Sequence, residues 1–188
     1  MTTEDRWTPP SEWCPSPHWW HSDPDDADPA EHEVTGLLIA LIRATQPEVV
    51  VETGTATGTT AVAIGEQLQR NGQGWLWTVE IDREAAAAAQ QACAGLPVTV
   101  ACADSLAWEP PVPIDFAWID SGPAAVRAEE IRRWQRKFRP GALVAVHDTA
   151  PNSGREALTA ALAEVLSETG WRSLSLRTPR GMTIAQVA

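Results

Sequence analysis

Short runs rich in β-branched residues alternate along this 188-residue chain with segments of helical periodicity. This alternation constrains the fold most, because a repeated strand–helix–strand order builds a parallel sheet with helices on both faces. We therefore predict an α/β fold with a doubly wound, mostly parallel, seven-stranded sheet. Its parallel strands are predicted at residues 48–53, 74–81, 98–102, 114–119 and 142–147, and the intervening helices at residues 59–70, 83–94, 123–138 and 153–169.

Two regions fall outside this alternation. At the C-terminus, residues 171–177 and 182–187 are predicted to form two strands around a Pro-Arg-Gly turn, which indicates an antiparallel hairpin. At the N-terminus, residues 1–28 form a proline-rich arm in which a regular helix or central strand is excluded. Its tryptophans need burial, so we expect the arm to pack on the domain of residues 29–188 or on a neighbouring subunit. These tryptophans are Trp7, Trp13, Trp19 and Trp20.

A helix is predicted between the arm and the first strand. Asp28 can cap it, Pro29 suits its first position, and Glu31 sits where a capping box places an acidic residue. The helix is expected to end near Gln46 and Pro47, and its apolar residues share one face. Those residues are Val34, Leu37, Leu38, Leu41 and Ile42.

Composition and charge narrow the classes of function. A formal net charge of −11 disfavours the wide basic surface that nucleic acids require. The apolar runs are too short to span a membrane, and the first residues lack the pattern of a secretory signal. Three cysteines without a CxxC pair indicate a reducing compartment. We expect a cytoplasmic protein that acts on a small molecule, with neither nucleic acid nor membrane as a partner.

The first predicted strand leads into a glycine-containing loop. Its sequence is Glu52-Thr-Gly54-Thr-Ala-Thr-Gly58-Thr-Thr60, and the two glycines permit a tight turn and a close approach of ligand to backbone. The next helix directs free N–H groups towards any anion bound there. The loop lacks the GxGxxG spacing, and no lysine follows Gly58 as in a Walker loop. A carboxylate is therefore a better guest here than a pyrophosphate.

Polar residues also follow the second and third strands, at the edge of the sheet where such folds bind ligands. Glu80, the first residue of Glu80-Ile-Asp82, is placed to accept hydrogen bonds from both hydroxyls of a ribose. Asp82 is expected to cap the following helix. After the third strand, Asp104 and Ser105 can bond the amino edge of an adenine, or Asp104 can serve only to form a turn.

Three polar residues end the fourth and fifth strands. Asp120 follows one strand, while His147 and Asp148 end the next, so the topology brings all three together. Two carboxylates and an imidazole can bind a divalent metal. They can equally form a metal-free site in which His147 is the general base, or serve only structural roles. The residues by themselves leave these three alternatives open.

Taken in order, these motifs resemble class I S-adenosylmethionine-dependent methyltransferases. More narrowly, they are similar to the small O-methyltransferases of the catechol and caffeoyl-CoA type and to related bacterial enzymes. The resemblance covers about residues 33–187 and implies a Rossmann-like methyltransferase fold. Five segments carry it, at residues 52–58, 79–82, 102–105, 115–120 and 139–148.

The resemblance implies a role for each candidate residue. Gly54, Thr55 and Gly58 would line the methionine part of S-adenosylmethionine, with Thr60 near its carboxylate and Glu52 supporting the loop. Glu80 would hold the ribose, and Asp104 and Ser105 would flank the adenine. Ile81 and Asp120, at the ends of the second and fourth strands, are also predicted to contact the cofactor.

The metal-dependent members of this family use ligands that correspond to Asp120, His147 and Asp148. Those members have an Asp-Asn pair where this chain has His147-Asp148, so the resemblance leaves a Mg²⁺-type metal open. They also often carry a lysine just beyond the fourth-strand aspartate, where this chain has Ser-Gly-Pro. His147 and Asp120 are therefore our candidate catalytic residues.

The sequence predicts an S-adenosylmethionine-dependent methyltransferase acting on a hydroxyl of a small molecule. Trp19, Trp20 and Trp108 are candidates for the walls of its substrate pocket, and core burial is the alternative for each. The resemblance and the apolar arm also suggest a homodimer. Two other functions stay open: a non-catalytic methyltransferase-like binding module and, less favoured because GxGxxG is broken, a nicotinamide-dependent oxidoreductase.

Overall fold

The computed structural model describes residues 30–110, 112–150, 156–178 and 180–188. The N-terminal arm lies outside these residues, and so do the predicted cap at Asp28 and Pro29 and the tryptophans at 19 and 20. The predicted capping box of the last helix, which begins at Ser153, also starts outside them. Among the described helices, none combines the length and the apolar character that crossing a membrane requires.

Five α-helices and seven strands make up the described chain. The helices are α1 (His32–Thr45), α2 (Thr59–Asn71), α3 (Arg83–Ala92), α4 (Ala124–Trp134) and α5 (Glu156–Thr169). The strands are β1 (Val49–Thr53), β2 (Trp75–Glu80), β3 (Val98–Cys102), β4 (Ile114–Ile119), β5 (Phe138–His147), β6 (Arg172–Leu176) and β7 (Met182–Gln186).

The seven strands form one sheet in the order β3-β2-β1-β4-β5-β7-β6. Strands β1 to β5 are parallel, whereas β7 runs antiparallel to both β5 and β6. The predicted sheet and its C-terminal hairpin are thus confirmed. The strand order reverses between β1 and β4, which places a ligand-binding crevice at the carboxyl ends of these two strands.

Both faces of the sheet are covered by helices, as a doubly wound fold requires. On one face, α1 and α2 bury an apolar cluster that includes Leu38, Ile64 and Trp118. On the other face, α4 and α5 pack over a cluster that includes Ile131 and Val165. The central strands β1 and β4 are covered on both sides, and their sequences are nearly continuous apolar runs.

The boundary between α4 and β5 differs from the prediction. The helix was expected to continue to Phe138, but it ends at Trp134, and a 3-10 turn leads into a strand that begins at Phe138. Phe138 pairs with Ile114 of β4 and packs edge-to-face on Trp171, with ring centroids 5.3 Å apart. Phe138 has the spacing of a residue on the apolar face of the helix, but it belongs to the strand. Its pairing with β4 outweighs the local helical periodicity.

The start of α1 also corrects an expectation. Glu31 was predicted to close a capping box, but it is itself the N-cap residue and makes no side-chain cap hydrogen bond. Its side chain is only 2% exposed and points into the protein, towards the end of β5. By contrast, Asp82 caps α3 as expected, because its carboxylate accepts hydrogen bonds from the backbone N–H groups of Glu84 and Ala85.

Candidate active site

Two adjoining cavities, of about 300 and 280 Å³, open at the carboxyl ends of β1, β2 and β4. They share Gly54, Glu80 and Gly122 as common walls. The first cavity is lined largely by polar and charged residues, and the second mainly by apolar ones. The apolar walls of the second cavity are Val79, Ile81, Leu106, Pro123 and Val126.

The glycine loop forms the wall between β1 and α2. Gly54 has a φ of 78°, and a Cβ atom there would lie 2.5 Å from the carbonyl oxygen of Asp120. Only glycine therefore allows the end of β1 to lie against the end of β4. Thr55 in the loop and Thr60 at the start of α2 are both predicted site residues, and both line the first cavity.

Two predicted loop residues lie behind the cavity rather than on its surface. Gly58 is the N-cap of α2, with a φ of 96°, and a Cβ atom there would lie 3.0 Å from the Cα of Ala89. Glu52 is buried and accepts a hydrogen bond from the hydroxyl of Thr78, which is also bonded to the hydroxyl of Thr55. Burial raises the pKa of Glu52 to about 8, although the hydrogen bond from Thr78 by itself would lower this pKa. These two residues shape the loop from beneath.

Glu80 stands at the junction of the two cavities. Its Oε2 atom accepts a hydrogen bond of 2.8 Å from the backbone N–H of Ala56, and its Oε1 atom accepts one of 2.9 Å from Asp82. The carboxylate therefore tethers the glycine loop to the end of β2. Ile81 follows it and is 70% exposed, although isoleucine is usually buried. An apolar ligand surface in the second cavity would cover it.

The end of β3 contributes one wall of the second cavity. Asp104 and Ser105 both line it, as the sequence predicted for the adenine side. Asp104 also forms a turn, because its Oδ1 atom accepts a 2.9 Å hydrogen bond from the N–H of Leu106. Ser105 is buried and hydrogen-bonded to Glu130.

Glu130 of α4 is a buried carboxylate that the sequence analysis missed. It accepts hydrogen bonds from Thr53 at 3.0 Å and from Ser121 at 2.7 Å, in addition to Ser105. Burial raises its pKa in spite of these bonds. The carboxylate thus joins the ends of β1, β3 and β4 beneath the cavities. A signal existed in the sequence, since Glu130 lies one helical turn before Trp134 and so on the same side of the helix as that buried residue.

The structure brings Asp120, His147 and Asp148 together at the ends of β4 and β5, as predicted. The His147 side chain is fully buried, however, and both of its ring nitrogens face carboxylates. Nδ1 lies 3.1 Å from Oδ1 of Asp120, and Nε2 lies 2.5 Å from Oε2 of Glu31. Burial alone would lower the pKa of His147, but these two acidic neighbours outweigh it and raise the pKa to about 9.

This geometry does not fit a general base. A base must offer an unprotonated nitrogen to the substrate, whereas the imidazole of His147 is protonated at neutral pH and enclosed by Asp120 and Glu31. Its ring packs instead on Trp118, with ring centroids 5.2 Å apart. The position suits a residue that orients Asp120, and Asp120 itself lines the first cavity.

Two arginines that the sequence analysis did not single out complete the cluster. Arg127 of α4 places Nη2 3.4 Å from Asp120 and 3.3 Å from Asp148, and its Nη1 donates to the carbonyl of His147 at 2.7 Å. Arg180, in the turn before β7, donates to both carboxylate oxygens of Asp148, at 2.7 and 3.1 Å. Both arginines line the first cavity.

The charged cluster constrains Asp148 strongly. Burial would raise the pKa of this carboxyl, but the charges of His147, Arg180 and Arg127 lower it to about 2. Its backbone has a φ of 59°, in the left-handed region that aspartate tolerates better than most residues. Asp148 is therefore a permanently ionised centre to which both arginines bind.

The hairpin turn that carries Arg180 fits tightly against the end of β5. Thr149 and Ala150 donate backbone hydrogen bonds to the carbonyls of Gly181 and Arg180, at 3.1 and 2.9 Å. A Cβ atom on Gly181, whose φ is 81°, would clash with these backbones, since it would lie 2.6 Å from the carbonyl carbon of Thr149. Glycine at this position therefore lets the hairpin bring Arg180 to Asp148.

The arrangement does not fit a divalent metal bound by Asp120, His147 and Asp148. One potential ligand atom from each lies within 4.8 Å of the others, which is close enough for coordination. A metal, however, needs a neutral imidazole and carboxylates free to coordinate. Here the imidazole is protonated between two carboxylates, and two guanidinium groups bind Asp148. The predicted metal role is therefore not supported by this donor set.

Trp108, a candidate pocket wall, belongs to the core instead. It packs edge-to-face on Trp134, with ring centroids 5.8 Å apart, and lines neither cavity. Within the described part of the chain, the other predicted site residues lie in or directly behind the two cavities.

A family of known proteins matches more than half of the chain. The family described as "Methyltransferase domain" matches residues 51–149, which is more than half of the chain. The matched segment begins in β1, at the glycine loop, and ends just beyond His147 and Asp148. No curated protein sequence matches the chain.

Several solved structures share the fold. The O-methyltransferase TomG from Streptomyces achromogenes, involved in tomaymycin synthesis and solved with S-adenosylmethionine, has a TM-score of 0.70 and 23% identity, with all of both chains covered. Podospora anserina PaMTH1, bound to S-adenosylhomocysteine, has a TM-score of 0.74 and 16% identity over 88% of this chain and 82% of its own. A Bacillus cereus O-methyltransferase with the same ligand has a TM-score of 0.68 and 18% identity over 86% and 84%.

At these identities the solved structures establish the fold, while the family match covers the motifs that carry the predicted resemblance. The chain therefore belongs to the methyltransferase-domain family, with the Rossmann-like fold of class I methyltransferases.

Proposed function

We propose that this protein transfers a methyl group from S-adenosylmethionine to a hydroxyl oxygen of a small molecule. The observation that carries the proposal is the pair of joined cavities with Glu80 at their junction, one mainly apolar and one polar. S-adenosylmethionine has a matching pair of parts, because its adenine is flat and largely apolar whereas its amino-acid end is charged. The similar structures that hold S-adenosylmethionine or S-adenosylhomocysteine support this assignment of the cofactor.

The residues around the two cavities suit the parts of that cofactor. The second cavity offers Ile81 and Leu106 to the faces of an adenine, with Asp104 and Ser105 at its edge. Glu80 would hold the ribose hydroxyls, since a carboxylate at this position accepts two such bonds. The start of α2, with Thr60 on the cavity wall, would hold the carboxylate of the methionine part.

Asp120 is the residue that we assign to the chemical step. Its carboxylate lines the first cavity and is held from behind by His147 and Arg127. When bound, S-adenosylmethionine supplies a methyl group on a sulfonium sulfur, which keeps the electron pair of the broken carbon–sulfur bond. The acceptor hydroxyl gives its proton to Asp120, and its oxygen keeps the pair that forms the new bond to carbon.

Most of the rate enhancement would come from holding the acceptor oxygen in line with the methyl group. In this account His147 is a positioning residue, because it bonds Asp120 and lines neither cavity. Glu31 fixes the other side of its ring.

A cytoplasmic location and a homodimer stay predictions from the sequence.

The direct test is turnover. Purified protein would be incubated with S-adenosylmethionine and a panel of hydroxylated small molecules, with mass spectrometry to detect S-adenosylhomocysteine and the methyl ether. Acceptor-dependent formation of both products would support the proposal. A protein that binds S-adenosylmethionine but yields neither product from any acceptor would instead favour the non-catalytic binding module.

A further inference from the structure

We infer that Arg127 and Arg180 replace a divalent metal in the first cavity, where the acceptor hydroxyl would bind. Their guanidinium groups provide the positive charge that a cation provides in metal-dependent relatives, so this site works without a metal. The inference rests on the proposed function and concerns how the acceptor is held. It follows from the contacts that two arginines and one glutamate make with the three predicted metal ligands.

Arg127 lies between two of the three candidate metal ligands. Its Nη2 atom is 3.4 Å from an oxygen of Asp120 and 3.3 Å from an oxygen of Asp148, so one group bridges the two carboxylates. Its position is fixed, because Nε donates to the carbonyl of Ser121 and Nη1 donates to the carbonyl of His147. The side chain is only 8% exposed, so a metal would have to displace a buried guanidinium that already contacts two carboxylates and two carbonyls.

Arg180 also binds Asp148, through Nε and Nη2, in a bidentate arrangement. Such pairs are among the strongest hydrogen-bonded contacts that a carboxylate makes. The turn that carries Arg180 is itself fixed, since its backbone N–H donates to Glu31 at 3.0 Å and Gly181 packs on Ala150. Both oxygens of Asp148 are thus bonded to guanidinium groups.

The third candidate ligand is also engaged. Glu31, from the N-cap of α1, binds Nε2 of His147, and the other nitrogen faces Asp120. Glu31 and Arg180 reach the cluster from the two ends of the domain, and neither belongs to the metal-binding pattern. Each of the three candidate ligands is therefore already engaged within the cluster: both ring nitrogens of His147 face carboxylates, and Asp120 and Asp148 contact guanidinium groups.

This arrangement has a consequence for the acceptor. A metal favours vicinal hydroxyls, because two adjacent oxygens can chelate it, whereas guanidinium groups beside Asp120 can orient a single oxygen. We expect acceptors with one hydroxyl to be methylated as readily as the corresponding vicinal diols, and turnover to be insensitive to EDTA.

The decisive experiment measures Mn²⁺ binding by electron paramagnetic resonance, using the full chain saturated with S-adenosylhomocysteine. The readout is the amount of bound Mn²⁺ that depends on the Asp148 carboxylate, measured as the part of the signal that the substitution Asp148→Asn removes. We expect no such component in the wild-type protein at millimolar Mn²⁺. We expect the double variant Arg127→Gln, Arg180→Gln to gain it, because Asp120 and Asp148 would lose their cations. Arg133→Gln, on the exposed face of α4, is the matched control and should resemble wild type.

Mn²⁺ that binds the wild-type protein and is lost in Asp148→Asn would overturn the inference, and so would turnover that EDTA abolishes and Mg²⁺ restores. If the double variant fails to fold, as circular dichroism would reveal, the wild-type measurement still decides. Failure of the proposed function would look different, because the protein would then form no methylated product whether or not metal is present.

Discussion

Glu31 and His147 are 116 residues apart in the chain, yet Oε2 of one lies 2.5 Å from Nε2 of the other in the buried interior. The pair joins the first turn of α1 to the end of β5. On the other side of the imidazole, Asp120 faces the first cavity. The start of the domain is thus connected, through one histidine, to the carboxylate that we assign to the chemical step.

Loss of Glu31 should destabilise the fold strongly. We expect Glu31→Ala to lower the free energy of unfolding by about 3–5 kcal/mol, because the imidazolium of His147 loses a buried partner. Glu31→Gln keeps a hydrogen-bond acceptor and should cost less. Glu66→Ala, which removes an exposed pair with Arg70, is the control and should cost at most about 1 kcal/mol. Urea unfolding measures all three, and equal losses for Glu31→Ala and Glu66→Ala would contradict the role of the pair.

The pH dependence of stability should show His147 directly. Its pKa is raised from about 6.5 when unfolded to about 9 when folded, so its contribution is fully present below pH 6.5. That contribution, on the order of 3 kcal/mol, should be lost as the pH rises from 6.5 through 9. The loss should be absent in His147→Gln. A wild-type curve that parallels the variant between these pH values would refute the raised pKa.

Glu52 should cause a second loss of stability as the pH rises, in a lower pH range than the loss caused by His147. Burial raises its pKa from 4.5 to about 8, so the protonated form stabilises the fold and this contribution declines between those two values. Glu52→Gln keeps the hydrogen bond from Thr78 without the ionisation. We therefore expect this variant to gain stability relative to wild type as the pH rises from 5 to 8. An unchanged difference between the two proteins across this range would contradict burial of an ionisable Glu52.

Gly181→Ala tests how the hairpin positions Arg180. The new methyl group would clash with the backbones of Thr149 and Ala150, in addition to the cost of a positive φ, so we expect a loss of stability of about 3 kcal/mol or more and a marked fall in turnover. The control is Gly170→Ala, which also has a positive φ but has open space around its Cβ position. It should cost only the conformational penalty of about 1–2 kcal/mol and leave turnover intact. Equal effects at both positions would show that the contact at Gly181 is unimportant.

Asp120 and Glu80 should separate chemistry from cofactor binding. Asp120→Asn should reduce kcat by roughly 100-fold or more, with little effect on the affinity for S-adenosylhomocysteine. Glu80→Gln should weaken that affinity about 10- to 100-fold, because a charged acceptor is lost. Glu84→Gln, exposed at the start of α3, is the matched control. If Asp120→Asn turns over at the wild-type rate, Asp120 is not the residue that receives the proton.

The sequence was sufficient for the sheet and the strand-end motifs, because both depend on local patterns. Burial on both faces makes β1 and β4 readable as apolar runs. Gly54 directly follows β1, and Glu80 is the last residue of β2, so both lie at predicted strand ends. The start of β5 was misplaced because Phe138 also fits a helical face. Its pairing with Ile114 is a long-range contact that periodicity does not reveal.

The charged cluster could not be predicted in the same way. Glu31 matched a capping box, which is a local use for a glutamate, but the fold directs it to His147 instead. Arg127 and Arg180 come from a helix and a hairpin turn that meet only after the sheet has formed. Without these cations, the sequence presents Asp120, His147 and Asp148 as available metal ligands.

The measurement that tests the central claim most directly is isothermal titration calorimetry of the wild-type protein with S-adenosylmethionine, S-adenosylhomocysteine and NAD. We predict micromolar binding of both sulfur-containing ligands and no binding of NAD, since the glycine loop suits a carboxylate and Glu80 suits a ribose. Absence of binding for both S-adenosyl ligands would contradict the account, and binding of NAD alone would favour the oxidoreductase alternative.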